Sequence, residues 1–180
     1  MSREEAARLL AEEAHEGQYR KYVREPYVAH CKAVVDTMKG LPGTDEDDYA
    51  AAWLHDVLED VAIPQDQVHH YAERIRAAAG DQVLDLVWQL TNPTHAPELK
   101  RLPRAERKRL DREHLAAVSK KAKRIKLADR LCNITDLAAQ DAPPDFRRKY
   151  FQETELLLNV LADVDVALEA AIRRVIGEVK

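Results

Sequence analysis

The stretch Ala51-Ala52-Trp53-Leu54-His55-Asp56-Val57-Leu58-Glu59-Asp60 constrains this chain more than any other. Four ionisable side chains stand in a segment otherwise made of Ala, Val, Leu and Trp, and a helix apolar around most of its circumference belongs in a core. Charge carried into a core must be offset there. At about 100° per residue, His55, Asp56, Glu59 and Asp60 fall within an arc of roughly 140°, and Val57 and Leu58 point away. The expected result is one polar face lining an interior site. A surface acidic patch fits less well, because acids toward the end of a helix oppose its dipole, and a metal or cationic ligand offsets them better.

An adjacent His-Asp pair can place an imidazole nitrogen and a carboxylate oxygen on one divalent ion. That mixed donor set suits manganese, iron, zinc or magnesium rather than a thiolate site. Further ligands must come from elsewhere in the chain. Asp129 shares a helix face with Asn133 at i and i+4, beside a core stripe of Leu127, Leu131, Ile134 and Ala138. Alone, Asp129 has the pattern of a salt-bridged aspartate with Arg130 or Lys126 as partner. His30, alone, has that of a hydrogen-bonded core histidine.

The rest of the sequence predicts helices. Apolar residues make up 46% of the 180 and charged residues 33%, with only five glycines, a balance that suits one all-α domain. Ser2 with Glu5 forms a capping-box pattern for a first helix to about Glu16, ended by Gly17. Pro26 suits the first turn of a second helix carrying Tyr27, His30, Cys31, Val34, Val35 and Met38. After a turn at Gly40 to Gly43, Thr44 can cap the third. Pro64 can open a fourth helix ending near Gly80, and Asp81 can cap a fifth. Three prolines between Thr91 and Pro103 mark a loop of the length that covers active sites. Helices resume from Pro103 to Val118 and from Ser119 to Ala139, and after Pro143-Pro144 a final long helix reaches about Val175. Nothing reads as a strand or a repeat.

Charge is uneven. The net charge is -4, yet residues 100–130 carry thirteen Lys or Arg against Glu106, Asp111, Glu113 and Asp129. Such a segment could serve a phosphate-rich ligand, or equally form a solvated helix face. Nucleic-acid binding is disfavoured by the negative total and the lack of an aromatic platform. No apolar run approaches a membrane span, the start is too acidic for a secretory signal, and the expected location is the cytoplasm, with Cys31 and Cys132 reduced.

The order His30, His55-Asp56, Asp129 resembles the H…HD…D pattern of the HD superfamily, whose members hold a divalent metal within a helical bundle. Three blocks sharpen the resemblance to the RelA/SpoT-type hydrolase domain and its small stand-alone metazoan relatives. They are Ala14-His15-Glu16-Gly17-Gln18-Tyr19-Arg20-Lys21 with Pro26-Tyr27-Val28-Ala29-His30, then His55 to Asp60, then Lys126 to Asn133. The segment Leu102 to Arg109 is similar as well. The resemblance implies a stand-alone enzyme, typically with manganese, that cleaves the 3′-pyrophosphate from ppGpp or pppGpp. It implies His30, His55, Asp56 and Asp129 as metal ligands and Glu59 and Asp60 as the catalytic acids that orient or deprotonate the attacking water. It implies Arg20, Lys21 and Asn133 as nucleotide contacts, with a guanidinium stacked on guanine. Arg104, Arg107, Lys108, Arg147 and Arg148 are less firmly matched candidates for the 5′-phosphates.

The sequence departs from that pattern in four places. Val23-Arg24 lengthens the stretch between Arg20 and His30 by one residue, and Cys31 replaces a common proline. Cys132 stands where His or Tyr is frequent, and Asn92-Pro93-Thr94-His95 replaces a loop that often offers lysine. The first could move the guanine clamp, and the last two bear on substrate preference more than on hydrolysis. Two alternatives therefore stay open: an HD phosphohydrolase of another nucleotide, such as a deoxynucleoside monophosphate or NADPH, and a silent nucleotide-binding module. Homo-oligomerisation is also left open.

Overall fold

The computed structural model describes residues 1–21, 24–61, 67–95, 97–140, 142–161 and 163–179. Val23 and Pro64, to which the sequence reading gave a role, lie outside them. Among the described residues the chain is all-α, with one isolated bridge between Tyr19 and Pro26 and no strand. No described helix is long and apolar enough to cross a membrane. The chain forms two compact units, Met1–Thr91 and Asn92–Lys180.

The first unit holds α1 (Arg3–Ala14), α2 (Val28–Lys39), α3 (Glu46–Leu54), α4 (Gln67–Ala79) and α5 (Asp81–Leu90). Helix α3 is its centre, packing on α1, α2, α4 and α5. Ala50, Ala51, Ala52 and Leu54 are fully buried, and the run of alanines lets neighbouring backbones approach closely while adding little side-chain entropy cost. Helix α1 begins as its sequence predicts, with Ser2 Oγ accepting from the Glu5 amide at 3.1 Å. It ends at Ala14, two residues before Glu16, where the chain turns through Gly17 at φ +75°.

Three helix starts differ from expectation. Pro26 does not open α2; it sits opposite Tyr19 in the bridge, where the Tyr27 amide donates to Gln18 O and the Arg20 amide to Glu25 O. A proline without an N–H is tolerated there. Asp45, not Thr44, caps α3, accepting from the Asp47 and Asp48 amides while Asp48 Oδ2 returns the bond to the Asp45 amide. Thr44 Oγ1 instead donates to Met38 O and Leu41 O, closing the turn before it. Asp81 is the first residue of α5 and pairs with Arg76, while Gly80 takes the cap position at φ +92°, a backbone favouring glycine.

The second unit holds α6 (Pro97–Lys100), α7 (Arg104–Ala117), α8 (Lys120–Ala139), α9 (Pro144–Leu158) and α10 (Val166–Val179). The stretch expected as a loop after Thr91 carries a 3-10 turn at Pro93–His95 and then α6. Ser119 caps α8 by accepting from the Ala122 amide. Helix α8 packs on both α9 and α10. The expected final helix is two helices. Asp163 takes a left-handed backbone at φ 62°, and Asp165 Oδ1 accepts from the Leu168 amide while its Oδ2 accepts from Arg124 Nε. An aspartate that caps a new helix competes with continuing the old one.

Candidate metal and catalytic site

In the first unit His30 lies in the first turn of α2, and His55 and Asp56 follow the last residue of α3. All three are buried, at 2%, 1% and 8% exposure. His55 Nδ1 lies 2.8 Å from Ala52 O, and a carbonyl can only accept, so Nδ1 carries the proton. Nε2 then faces Asp56 Oδ2, 2.8 Å away, with a lone pair if the ring is neutral. His30 Nε2 stands 3.8 Å from the same oxygen. A lone pair facing a carboxylate at that distance requires either a second proton on the ring or a cation shared by the two groups. Two imidazole nitrogens converging on one carboxylate oxygen fit a divalent first-row ion.

The α-helix does not run on through the acids as expected. It ends at Leu54, and Val57–Val61 form a π turn in which the Glu59 and Asp60 amides both bond Asp56 O. Such turns interrupt helices at functional sites. His55 and Asp56 are buried, Glu59 is half-buried and Asp60 is exposed. The polar set therefore grades from interior to surface instead of lining the interior throughout.

Two residues beside this cluster had no assigned role in the sequence reading, although both lie in its family-like blocks. The Tyr27 hydroxyl donates to Asp56 Oδ2 at 2.6 Å. The His15 ring stacks against Tyr27 at 4.7 Å between centroids, with Nδ1 2.8 Å from Gln18 Oε1. Burial is the main cause that pushes the His15 pKa down, opposed by the Gln18 bond and the Asp56 and Asp60 carboxylates. Arg20 is half-buried and Lys21 exposed, both just ahead of the Tyr19–Pro26 bridge's return strand of chain.

In the second unit Asp129 is 4% exposed, with Lys126 Nζ 2.9 Å from Oδ2 and Asn133 Nδ2 donating to Oδ1. Arg130, the other expected partner of Asp129, instead lies over the Tyr150 ring at 4.6 Å. Of the basic candidates, Arg104 makes two bonds to Glu153, Lys108 faces Asp111 at 3.5 Å and Arg148 pairs with Asp145 on the surface. Arg107 and Arg147 are half-buried. Cys31 is buried and Cys132 half-buried, and no disulfide joins them.

The family model of the HD domain matches residues 7–164. The chain is 35% identical over 134 residues to the Xenopus tropicalis guanosine-3′,5′-bis(diphosphate) 3′-pyrophosphohydrolase MESH1, spanning 74% of this chain and 68% of that protein. To the human MESH1 it is 33% identical over 180 residues, spanning 94% and 93%. A solved structure described as a metazoan ortholog of SpoT that hydrolyzes ppGpp and plays a role in starvation responses superposes with a TM-score of 0.84 at 30% identity, covering 99% of this chain and 96% of that one.

Proposed function

The chain belongs to the HD-domain family and, within it, to the MESH1-type guanosine-3′,5′-bis(diphosphate) 3′-pyrophosphohydrolases, and from that premise we propose that it hydrolyses (p)ppGpp to GDP or GTP and pyrophosphate. The observation that carries the reading is the convergence of His30 Nε2 and His55 Nε2 on Asp56 Oδ2, in a chain whose relatives bear that activity in their names. The whole chain, residues 1–180, acts as one catalytic domain, and the family match running from residue 7 to 164 through both compact units supports this.

His30, His55, Asp56 and Asp129 would hold one divalent ion, manganese in our reading; buried imidazole and carboxylate donors of this kind suit such an ion. When bound, the ion supplies Lewis acidity, lowering the pKa of water and offsetting charge on phosphoryl oxygens. The chain's own residues supply the rest. The half-buried Glu59 accepts a proton from the attacking water, with the exposed Asp60 beside it. Water adds to the phosphorus bonded to O3′, the P–O3′ bond breaks, and a proton passes to O3′. Arg20, Lys21 and Asn133 contact the nucleotide. The compartment is the cytoplasm.

A nucleotide panel tests the substrate. Release of pyrophosphate with formation of GDP from ppGpp, well above any turnover of deoxynucleoside monophosphates or NADPH, is the expected result. Turnover of another nucleotide with ppGpp left intact keeps the HD site and discards the substrate; no turnover at all points to the silent binding module.

A further inference from the structure

Arg130 of α8 is 6% exposed, and its Nε and Nη1 are buried without a hydrogen-bond partner among the described residues. A guanidinium cannot shed its proton, so a buried one needs an anion or costs the fold heavily. The Tyr150 ring at 4.6 Å offsets part of that cost. The nearby acids are engaged elsewhere: Asp129 with Lys126, Glu153 with Nε and Nη2 of Arg104, and Asp111 with Lys108. Positive charge is therefore in excess around Arg130. Burial is also the main cause that pushes the Lys108 pKa down, and Arg130 and Lys126 add to it against Asp111 and Glu153. An anion among the three cations would relieve all of them.

We propose that Arg130, with Lys126 and Lys108 beside it, binds a phosphate oxyanion, and that in turnover this anion is a phosphate group of the guanosine polyphosphate. The second half of that statement rests on the function proposed above; the first does not. A guanidinium with two unpartnered nitrogens and two lysines in its electrostatic neighbourhood suits a phosphate, which offers oxygens in several directions, better than a planar carboxylate with two. The Lys108 side chain, 28% exposed, is more open than that of Lys126 at 13%. Of the five phosphate candidates offered by the sequence, Arg104, Arg107, Lys108, Arg147 and Arg148, Arg104 and Arg148 pair with Glu153 and Asp145, and Lys108 faces Asp111. Among the described residues Arg130 Nε and Nη1 have no hydrogen-bond partner.

The test is thermal unfolding of the intact protein with inorganic pyrophosphate, in chelator so that no divalent ion contributes, with acetate as the carboxylate control. Pyrophosphate should raise the Tm of the wild type and acetate should not. Arg130→Met should weaken pyrophosphate binding about tenfold or more. Its unliganded Tm should equal or exceed that of the wild type, because an unpaired buried charge has been removed. If that variant does not fold, Arg130→Lys serves, and a measurable loss of affinity is expected because lysine cannot stack as a plane on Tyr150. No protection of the wild type, equal protection by acetate, or unchanged affinity in the Arg130 variants would overturn the site. A protein that binds pyrophosphate through Arg130 yet leaves ppGpp intact overturns the proposed function alone. One that turns over ppGpp while binding pyrophosphate without Arg130 overturns this inference alone.

Discussion

The Tyr27 hydroxyl donates to Asp56 Oδ2 across 2.6 Å, and that same oxygen is the one 2.8 Å from His55 Nε2. Asp56 thus has one oxygen oriented by a hydroxyl that lies outside the proposed ligand set. Such outer partners fix ligand orientation, and their loss weakens metal binding by about 10- to 100-fold. Tyr27→Phe should show a loss of that size in a calorimetric manganese titration, with the fold retained. An unchanged affinity would mean that Tyr27 merely packs.

Asp129 and Glu59 should separate binding from chemistry. Asp129→Ala is expected to lose both metal and turnover, because it removes a buried carboxylate of the proposed donor set. Glu59→Ala should keep the metal and lose mainly turnover, on the order of 10²- to 10⁴-fold. Metal content by elemental analysis beside the rate of pyrophosphate release reads the two effects. Full activity in either variant contradicts the role assigned to it.

His15 predicts a pH dependence of stability. Its folded pKa lies below the ordinary histidine value, chiefly because burial disfavours the charged ring. Below the unfolded value the unfolded chain takes up a proton that the folded one refuses. Its contribution is therefore fully present above about pH 6.5 and lost as pH falls below it toward the folded pKa. Thermal unfolding from about pH 7.5 to 5.5 should show a steeper fall in Tm for the wild type than for His15→Gln. Parallel curves would show that His15 is not the group responsible.

The all-α class and the buried His55-Asp56 pair were legible because periodicity and local composition speak directly to burial. Asp129 enters the proposed donor set only through its combination with the other three residues, since a lone aspartate on a helix is usually paired at the surface. Other features needed tertiary information. Nothing in Thr44-Asp45 says which of two good capping residues will cap, and the answer came from Asp48 returning the bond. The π turn after Leu54 is invisible to a 100° wheel, so Asp60 was expected inside and lies outside. Arg130 reads as a partner for its neighbour Asp129, whereas successive residues on a helix point in different directions, and Tyr150 from α9 meets it instead.

The break between α9 and α10 also carries a stability prediction. Ile172 of α10 is fully buried, and α10 packs on α8, the helix that bears Asp129. Ile172→Ala should cost about 2–5 kcal/mol of unfolding free energy, as core truncations of this size do. Urea denaturation measures it. A cost under about 1 kcal/mol, typical of surface positions, would mean that α10 is not part of that core.

Metal-dependent hydrolysis of the alarmone is tested by pyrophosphate release from ppGpp by metal-stripped protein before and after manganese is restored. The stripped protein should release none and, on restoring manganese, should release pyrophosphate with GDP in equal amount. Release that is independent of any divalent ion, or ppGpp left intact with manganese present and the protein folded, would contradict it.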